Sequence, residues 1–183
     1  LSIDAQKFDR FPCCGKGIHH HCQKQLRNTK SENIREYCPL CRTKCPTTNE
    51  EAIKQLQKWV KKKKAWAQCH LGNCYRHGTL GVKKDAKRAI VLYELAAEQG
   101  DTNAQFELGV MYNTGEGVDK NEIHASEFYK LAADQGHHDA QFSLGIMYEH
   151  GRGVDKDEKR AAEVYTLAAD QGHVSAQYNL GIM

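Results

Sequence analysis

Ala104-Gln105-Phe106-Glu107-Leu108-Gly109-Val110-Met111-Tyr112 decides the fold, because it returns as Ala140-Gln141-Phe142-Ser143-Leu144-Gly145-Ile146-Met147-Tyr148 and begins again at Ala176-Gln177-Tyr178 with Leu180-Gly181. The phase continues through Gly115-x-Gly117-Val118 and Gly151-x-Gly153-Val154, then Tyr129 and Tyr165, Leu131-Ala132-Ala133 and Leu167-Ala168-Ala169, and finally Gly136 and Gly172. A looser copy runs from Ala67 to Gly100, with Leu71-Gly72, Tyr75, Gly78, Gly81-Val82, Tyr93 and Leu95-Ala96-Ala97; it holds one extra residue between Gly78 and Gly81. The chain thus carries three nearly full repeats and the start of a fourth. A fixed period of this length marks a stacked architecture.

Each unit reads as two short helices. Ala104, Leu108 and Tyr112 recur every fourth residue, and Gly109 removes a side chain where a neighbouring helix can come close. In the second segment Ala125, Phe128, Tyr129, Ala132 and Ala133 share one helical face. Gly-x-Gly permits a tight loop between them, and Gly100, Gly136 and Gly172 stand where a helix end needs a left-handed residue. Two such helices cannot bury their apolar faces alone. They stack on the next pair, so the expected fold is all-α, an α/α solenoid over residues 67–183.

Ala-x-x-x-Leu-Gly-x-x-Tyr, then Gly-x-Gly-Val, then Ala-x-x-x-Tyr-x-x-Ala-Ala-x-x-Gly resembles the Sel-one-like repeats, relatives of the tetratricopeptide repeats. The resemblance implies an adaptor that binds other proteins, and it implies no catalysis. By analogy with related superhelices, binding is expected at first-helix positions that differ between copies: Gln105, Glu107, Val110 and Asn113, with Gln141, Ser143, Ile146 and Glu149 one repeat later. Cys69 falls at the position of Phe106, Phe142 and Tyr178, and Cys74 at that of Met111 and Met147, so both read as small core residues. His77, His124, His137, His138, His150 and His173 share no ligand spacing and are expected to be exposed.

Residues 1–46 follow a different logic. Six of the eight cysteines lie here, and Cys38-x-x-Cys41, preceded by Cys13, Cys14, His19 and Cys22, is a zinc-ligand pattern, since thiolates two residues apart can face one tetrahedral ion. The segment resembles the later ligands of a RING domain. That resemblance implies one zinc site from Cys13, Cys14, Cys38 and Cys41, and half of a second from His19, or His20 or His21 in its place, and Cys22, completed by a Cys-x-x-Cys upstream of Leu1. It further implies that Pro39 and Arg42 contact a ubiquitin-conjugating enzyme. Cys45 fits no pair. The expected whole is a partial zinc-binding RING-like module, a linker helix at 47–66, and the repeats.

Charge divides the chain at the same place. Residues 1–64 hold 15 Lys and Arg against 6 Asp and Glu, whereas residues 65–183 hold 11 against 17. Thr47-Thr48-Asn49-Glu50-Glu51 offers helix-start chemistry, and Ile53, Leu56 and Val60 form an apolar stripe. The run Lys61–Lys64, between Trp59 and Trp66, reads as a solvated helix face rather than a nuclear localisation signal or a nucleic-acid contact. No apolar stretch approaches the ~18 residues of a membrane span. Clustered cysteines interleaved with histidines favour a metal in a reducing, intracellular compartment, cytoplasmic or nuclear. Two functions follow from these readings: a RING-type ubiquitin ligase whose repeats recruit substrate, or an adaptor whose zinc module is purely structural. Nucleic-acid binding ranks below both, because the basic segment has few aromatics and the larger part of the chain is acidic.

Overall fold

Every described helix except Ala65–His77 begins where a side chain can accept from the first free backbone N–H groups; there the residue at the capping position, Lys64, makes no such bond. Thr48 accepts from Glu51, Asp85 from Arg88, Asp101 from Ala104, Asn121 from Ile123 and His124, and Asp157 from Arg160. First helices of the repeats stop at a left-handed glycine: Gly78, Gly115 and Gly151 have φ of 67°, 75° and 66°, and each returns its N–H to the helix. A computed structural model describes Pro46 and residues 48–183. Among them the helices are α1 (Asn49–Lys61), α2 (Ala65–His77), α3 (Ala86–Ala97), α4 (Thr102–Thr114), α5 (Glu122–Asp134), α6 (His138–His150), α7 (Glu158–Asp170) and α8 (Val174–Ile182), with no strand among the described residues.

The hairpins α2–α3, α4–α5 and α6–α7 stack in chain order, α1 packs on α2, and α8 opens the fourth repeat. Within each hairpin a tyrosine of the second helix lies on a glycine of the first. A methyl group at Gly72, Gly109 or Gly145 would come within 2.8 Å, 2.6 Å or 2.5 Å of the ring of Tyr93, Tyr129 or Tyr165. These rings are buried, as are the alanines that flank the crossing: Ala67, Ala104, Ala140 and Ala176 on first helices, and Ala96, Ala132 and Ala168 on second helices. Small residues let the axes approach, so a large ring fills the remaining volume. The connection is held the same way three times, by Asp85 N–H to Tyr75, Asn121 N–H to Tyr112 and Asp157 N–H to Tyr148, at 2.8 Å, 2.9 Å and 2.9 Å.

The first cap of the stack is α1. Leu56 is fully buried, and Ile53, Trp59 and Val60 pack with it against Leu71 and Cys74. Cys69 and Cys74 are buried free thiols in the core, as their repeat positions require. The basic run departs from expectation. α1 ends at Lys61, Lys63 turns left-handed with φ 54°, and Ala65 starts the next helix, so Lys62–Lys64 form a turn instead of a helix face. The Lys63 and Lys64 N–H groups close that turn on the Val60 and Trp59 carbonyls at 2.8 Å and 3.2 Å, and beside it the Trp59 and Trp66 rings lie 6.2 Å apart with Lys62 Nζ 4.7 Å from the Trp59 ring.

Gly109→Ala should lower the unfolding free energy by about 1–3 kcal/mol, the usual range for an overpacked core. Gly181, which meets no atom within 4 Å, is the control. Gly181→Ala should be neutral or slightly stabilising through helix propensity. Urea unfolding of the two variants distinguishes them; equal losses would show that the tyrosine contact is not the cause.

Candidate protein-binding face

The eight first-helix positions expected to bind divide into two groups. Gln105 and Gln141 are buried, and each amide makes hydrogen bonds inside the scaffold. Gln105 accepts from Gln135 Nε2 at 2.7 Å and donates to the Ala97 carbonyl of the preceding hairpin at 3.4 Å. Gln141 accepts from Gln171 at 2.8 Å and donates to Ala133 at 3.2 Å. Gln68 accepts from Gln99 at 2.6 Å, and Gln177 donates to Ala169 at 3.2 Å. In α4, α6 and α8 the first-helix glutamine therefore satisfies a carbonyl near the end of the preceding second helix, at Ala97, Ala133 and Ala169.

The other six stay half-buried. Glu107, Val110 and Asn113 lie along α4 at helical spacing, as do Ser143, Ile146 and Glu149 along α6. Glu107 pairs with Arg76 of the preceding hairpin, and burial, opposed by that guanidinium, raises its carboxyl above the ordinary range. Val110 and Ile146 each pack against a core formed by the second helix of their own hairpin and the first helix that follows it. Ser143 donates to the Asp139 carbonyl at 2.8 Å and shares a hydrogen bond with the Tyr129 hydroxyl, whose pKa is pushed up to about 12, chiefly by burial. Glu149 accepts from the Tyr165 hydroxyl at 2.6 Å. The matching tyrosine of the first hairpin, Tyr93, donates its hydroxyl to Asn73 at 2.6 Å. The row thus presents an acid, an apolar side chain and an amide in one hairpin, then a hydroxyl, an apolar side chain and an acid in the next.

The Sel1 repeat model matches residues 67–101, 102–137, 138–173 and 174–183. This chain belongs to the Sel1 repeat family. Among solved Sel1-type structures, a Sel1 repeat protein from Oxalobacter formigenes superposes with a TM-score of 0.69 at 38% identity, covering 73% of this chain and 54% of that one. The c5321 protective antigen of uropathogenic Escherichia coli, which displays the same fold, gives 0.73 at 31% identity over 87% of this chain and 35% of its own. Chitin synthase regulatory factor 3 of Schizosaccharomyces pombe is 47% identical over 55 residues, which is 30% of this chain and 6% of that protein. The Sel1 repeats thus form a helical scaffold, and no described helix is long and apolar enough to cross a membrane.

His77, His124, His138 and His150 are exposed as expected, whereas His137 and His173 are half-buried. His137 and His173 occupy the capping position that Asp101 holds one repeat earlier, and each ring Nδ1 accepts from a backbone N–H, Ala140 at 3.3 Å and Ala176 at 3.2 Å. Their rings stack on Phe106 and Phe142 with centroids 4.7 Å and 4.5 Å apart. His138, Asp139 and His173 also bring three ligand-type atoms together, Asp139 Oδ1 lying 3.0 Å from His138 Nδ1 and 3.3 Å from His173 Nε2. The cap decides the chemistry there. A ring that accepts at Nδ1 carries its proton on Nε2, so His173 donates to Asp139, and a metal at Nε2 would have to displace that proton or break the cap. Cys13, Cys14, His19, Cys22, Cys38, Pro39, Cys41 and Arg42 lie outside the described residues.

Protonating Nδ1 abolishes a histidine cap. Burial lowers the pKa of His137 below its ordinary value near 6.5, against the pull of Asp139 and Asp101, while His138 reinforces the lowering. The unfolded chain therefore takes up the proton first. Stability is complete above about pH 6.5 and is lost as pH falls through and below that value. Asparagine caps without titrating, so His137→Asn should flatten the fall. Urea midpoints between pH 8 and pH 5 for both proteins would show it; identical slopes would contradict the cap.

Proposed function

We infer that residues 67–183 are a protein-binding scaffold whose selectivity lies in Glu107, Val110, Asn113, Ser143, Ile146 and Glu149. The observation that carries this reading is a contrast between positions. Tyrosine, glycine, alanine and glutamine repeat in every hairpin and fix the frame, while the half-exposed row on the first helices changes chemistry from one hairpin to the next. A constant frame with a variable face suits recognition of an extended surface on another chain. The name of the Schizosaccharomyces pombe relative, a regulatory factor of chitin synthase, is in keeping with a scaffold that acts on another protein.

A photo-crosslinking residue at position 113 should trap a partner, while the same residue in place of exposed Lys130 on α5 should not. Equal trapping at both positions would remove the face assignment.

The reading extends to the N-terminal segment. Cys13, Cys14, His19, Cys22, Cys38 and Cys41 hold zinc in a RING-like module, a view supported by the Cys38-x-x-Cys41 spacing and the Cys/His cluster before it. Arg42, directly after the last ligand, supports a ubiquitin ligase in which Pro39 and Arg42 contact the conjugating enzyme; its planar, permanently charged guanidinium suits bridging two carbonyl acceptors. In the adaptor reading the same module only stabilises the fold. Cys38→Ser should abolish tight zinc binding, whereas Cys69→Ser, in the repeat core, should leave zinc content unchanged. With zinc content held, Arg42→Ala should slow ubiquitin discharge from a conjugating enzyme. No discharge by the wild-type chain across a panel of such enzymes would leave the adaptor.

A further inference from the structure

Charges are matched where the first and second hairpins meet. Arg76 on α2 pairs with Glu107 on α4 and donates from Nε to Glu116 at 2.8 Å, and Lys84 reaches Glu116 at 2.9 Å. One repeat along, the positions of Arg76, Glu107 and Glu116 are taken by Asn113, Ser143 and Arg152. The cation has moved to the loop position, and both acids are gone. Lys120, the counterpart of Lys84, turns to Glu122 at 2.8 Å.

Arg152 is left without a carboxylate within ion-pair distance among the described residues, and its Nε is sealed from solvent with no hydrogen-bond partner. The residue as a whole is half-buried, so part of its side chain faces solvent. It lies near enough to Tyr129, Tyr165 and Glu122 to act on them electrostatically. The nearby acids have other partners: Glu149 takes the Tyr165 hydroxyl, and Glu122 takes Lys120. A guanidinium in this state is a strong, directional donor awaiting an acceptor.

We propose that Arg152 anchors a carboxylate, the Asp or Glu side chain of a protein partner lying across the first helices of the second and third hairpins. The proposal rests on the scaffold reading and gives the partner its chemistry, an acidic segment. A carboxylate fits better than phosphate for two reasons. The preceding joint uses carboxylates at the homologous positions, and Glu122 and Glu149 nearby would repel a dianion more than a single charge.

The test begins inside the chain. Glu107 and Glu116 converge on the same Arg76 guanidinium, so positions 143 and 152, their homologues one repeat along, face a common point where a carboxylate at 143 can meet Arg152. Ser143→Glu should raise the melting temperature, and adding Arg152→Gln should erase the gain. In the wild type, the Nε–Hε resonance of Arg152 should shift saturably with the capped peptide acetyl-Gly-Glu-Gly-amide, should not shift with its Gln analogue, and should stop responding in Ser143→Glu. The proposal is overturned if the Gln peptide acts equally, if inorganic phosphate alone moves the resonance, if exposed Arg88 and Arg160 shift as much, or if Ser143→Glu stabilises the chain without Arg152. Partner trapping at position 113 that persists unchanged in Arg152→Gln would overturn this anchor and keep the scaffold; no trapping at all would count against the scaffold, while the peptide and melting results would still decide on Arg152.

Discussion

A tyrosine ring resting on a glycine holds together each complete hairpin among the described residues. Gly72 with Tyr93, Gly109 with Tyr129 and Gly145 with Tyr165 leave no room for a methyl group, and the rings are buried by that approach. Helices of 12 or 13 residues are marginal on their own, so their stability comes from this packing. The flanking alanines follow from the same constraint, because a larger side chain at Ala104 or Ala132 would push the axes apart.

Once the apolar crossing is fixed, the polar groups around it acquire defined tasks. Gln105 and Gln141 satisfy carbonyls in the hairpin before them, so each repeat is joined to its neighbour by a buried amide as well as by hydrocarbon. The tyrosine hydroxyls emerge beside the first-helix row and meet Asn73, Ser143 and Glu149, three different partners at three different repeat positions. Frame and variable face are therefore adjacent. A substitution in the row changes what is presented without moving the helices that present it.

Much of this was legible in the sequence because the period did the aligning. The helices, the left-handed glycines, the core cysteines and the close approach at Gly109 all follow from which residues recur. Polar residues with internal tasks were harder to place. Gln105 and Gln141 recur as faithfully as the alanines beside them, and that recurrence, not their polarity, was the signal that they belong to the frame. His137 and His173 align with Asp101, a residue that caps helices well, and the alignment would have identified them as caps. Arg76 gives no local sign of burial, since its acids lie 31 and 40 residues away and only stacking brings them to it. The Lys61–Lys64 run looked helical because the apolar stripe before it was; the break appears only in the left-handed Lys63.

If tyrosine on glycine and contact with the next hairpin are what stabilise each unit, protection from hydrogen exchange must be graded along the stack. α4 and α5 have a complete hairpin on either side, whereas α8 leaves Val174, Tyr178 and Ile182 exposed and its Gly181 meets no ring. Native-state hydrogen exchange in rising urea measures this directly. The account predicts that α8 amides open first and those of α4 and α5 last. A single opening free energy shared by all the described helices, α8 included, would contradict it.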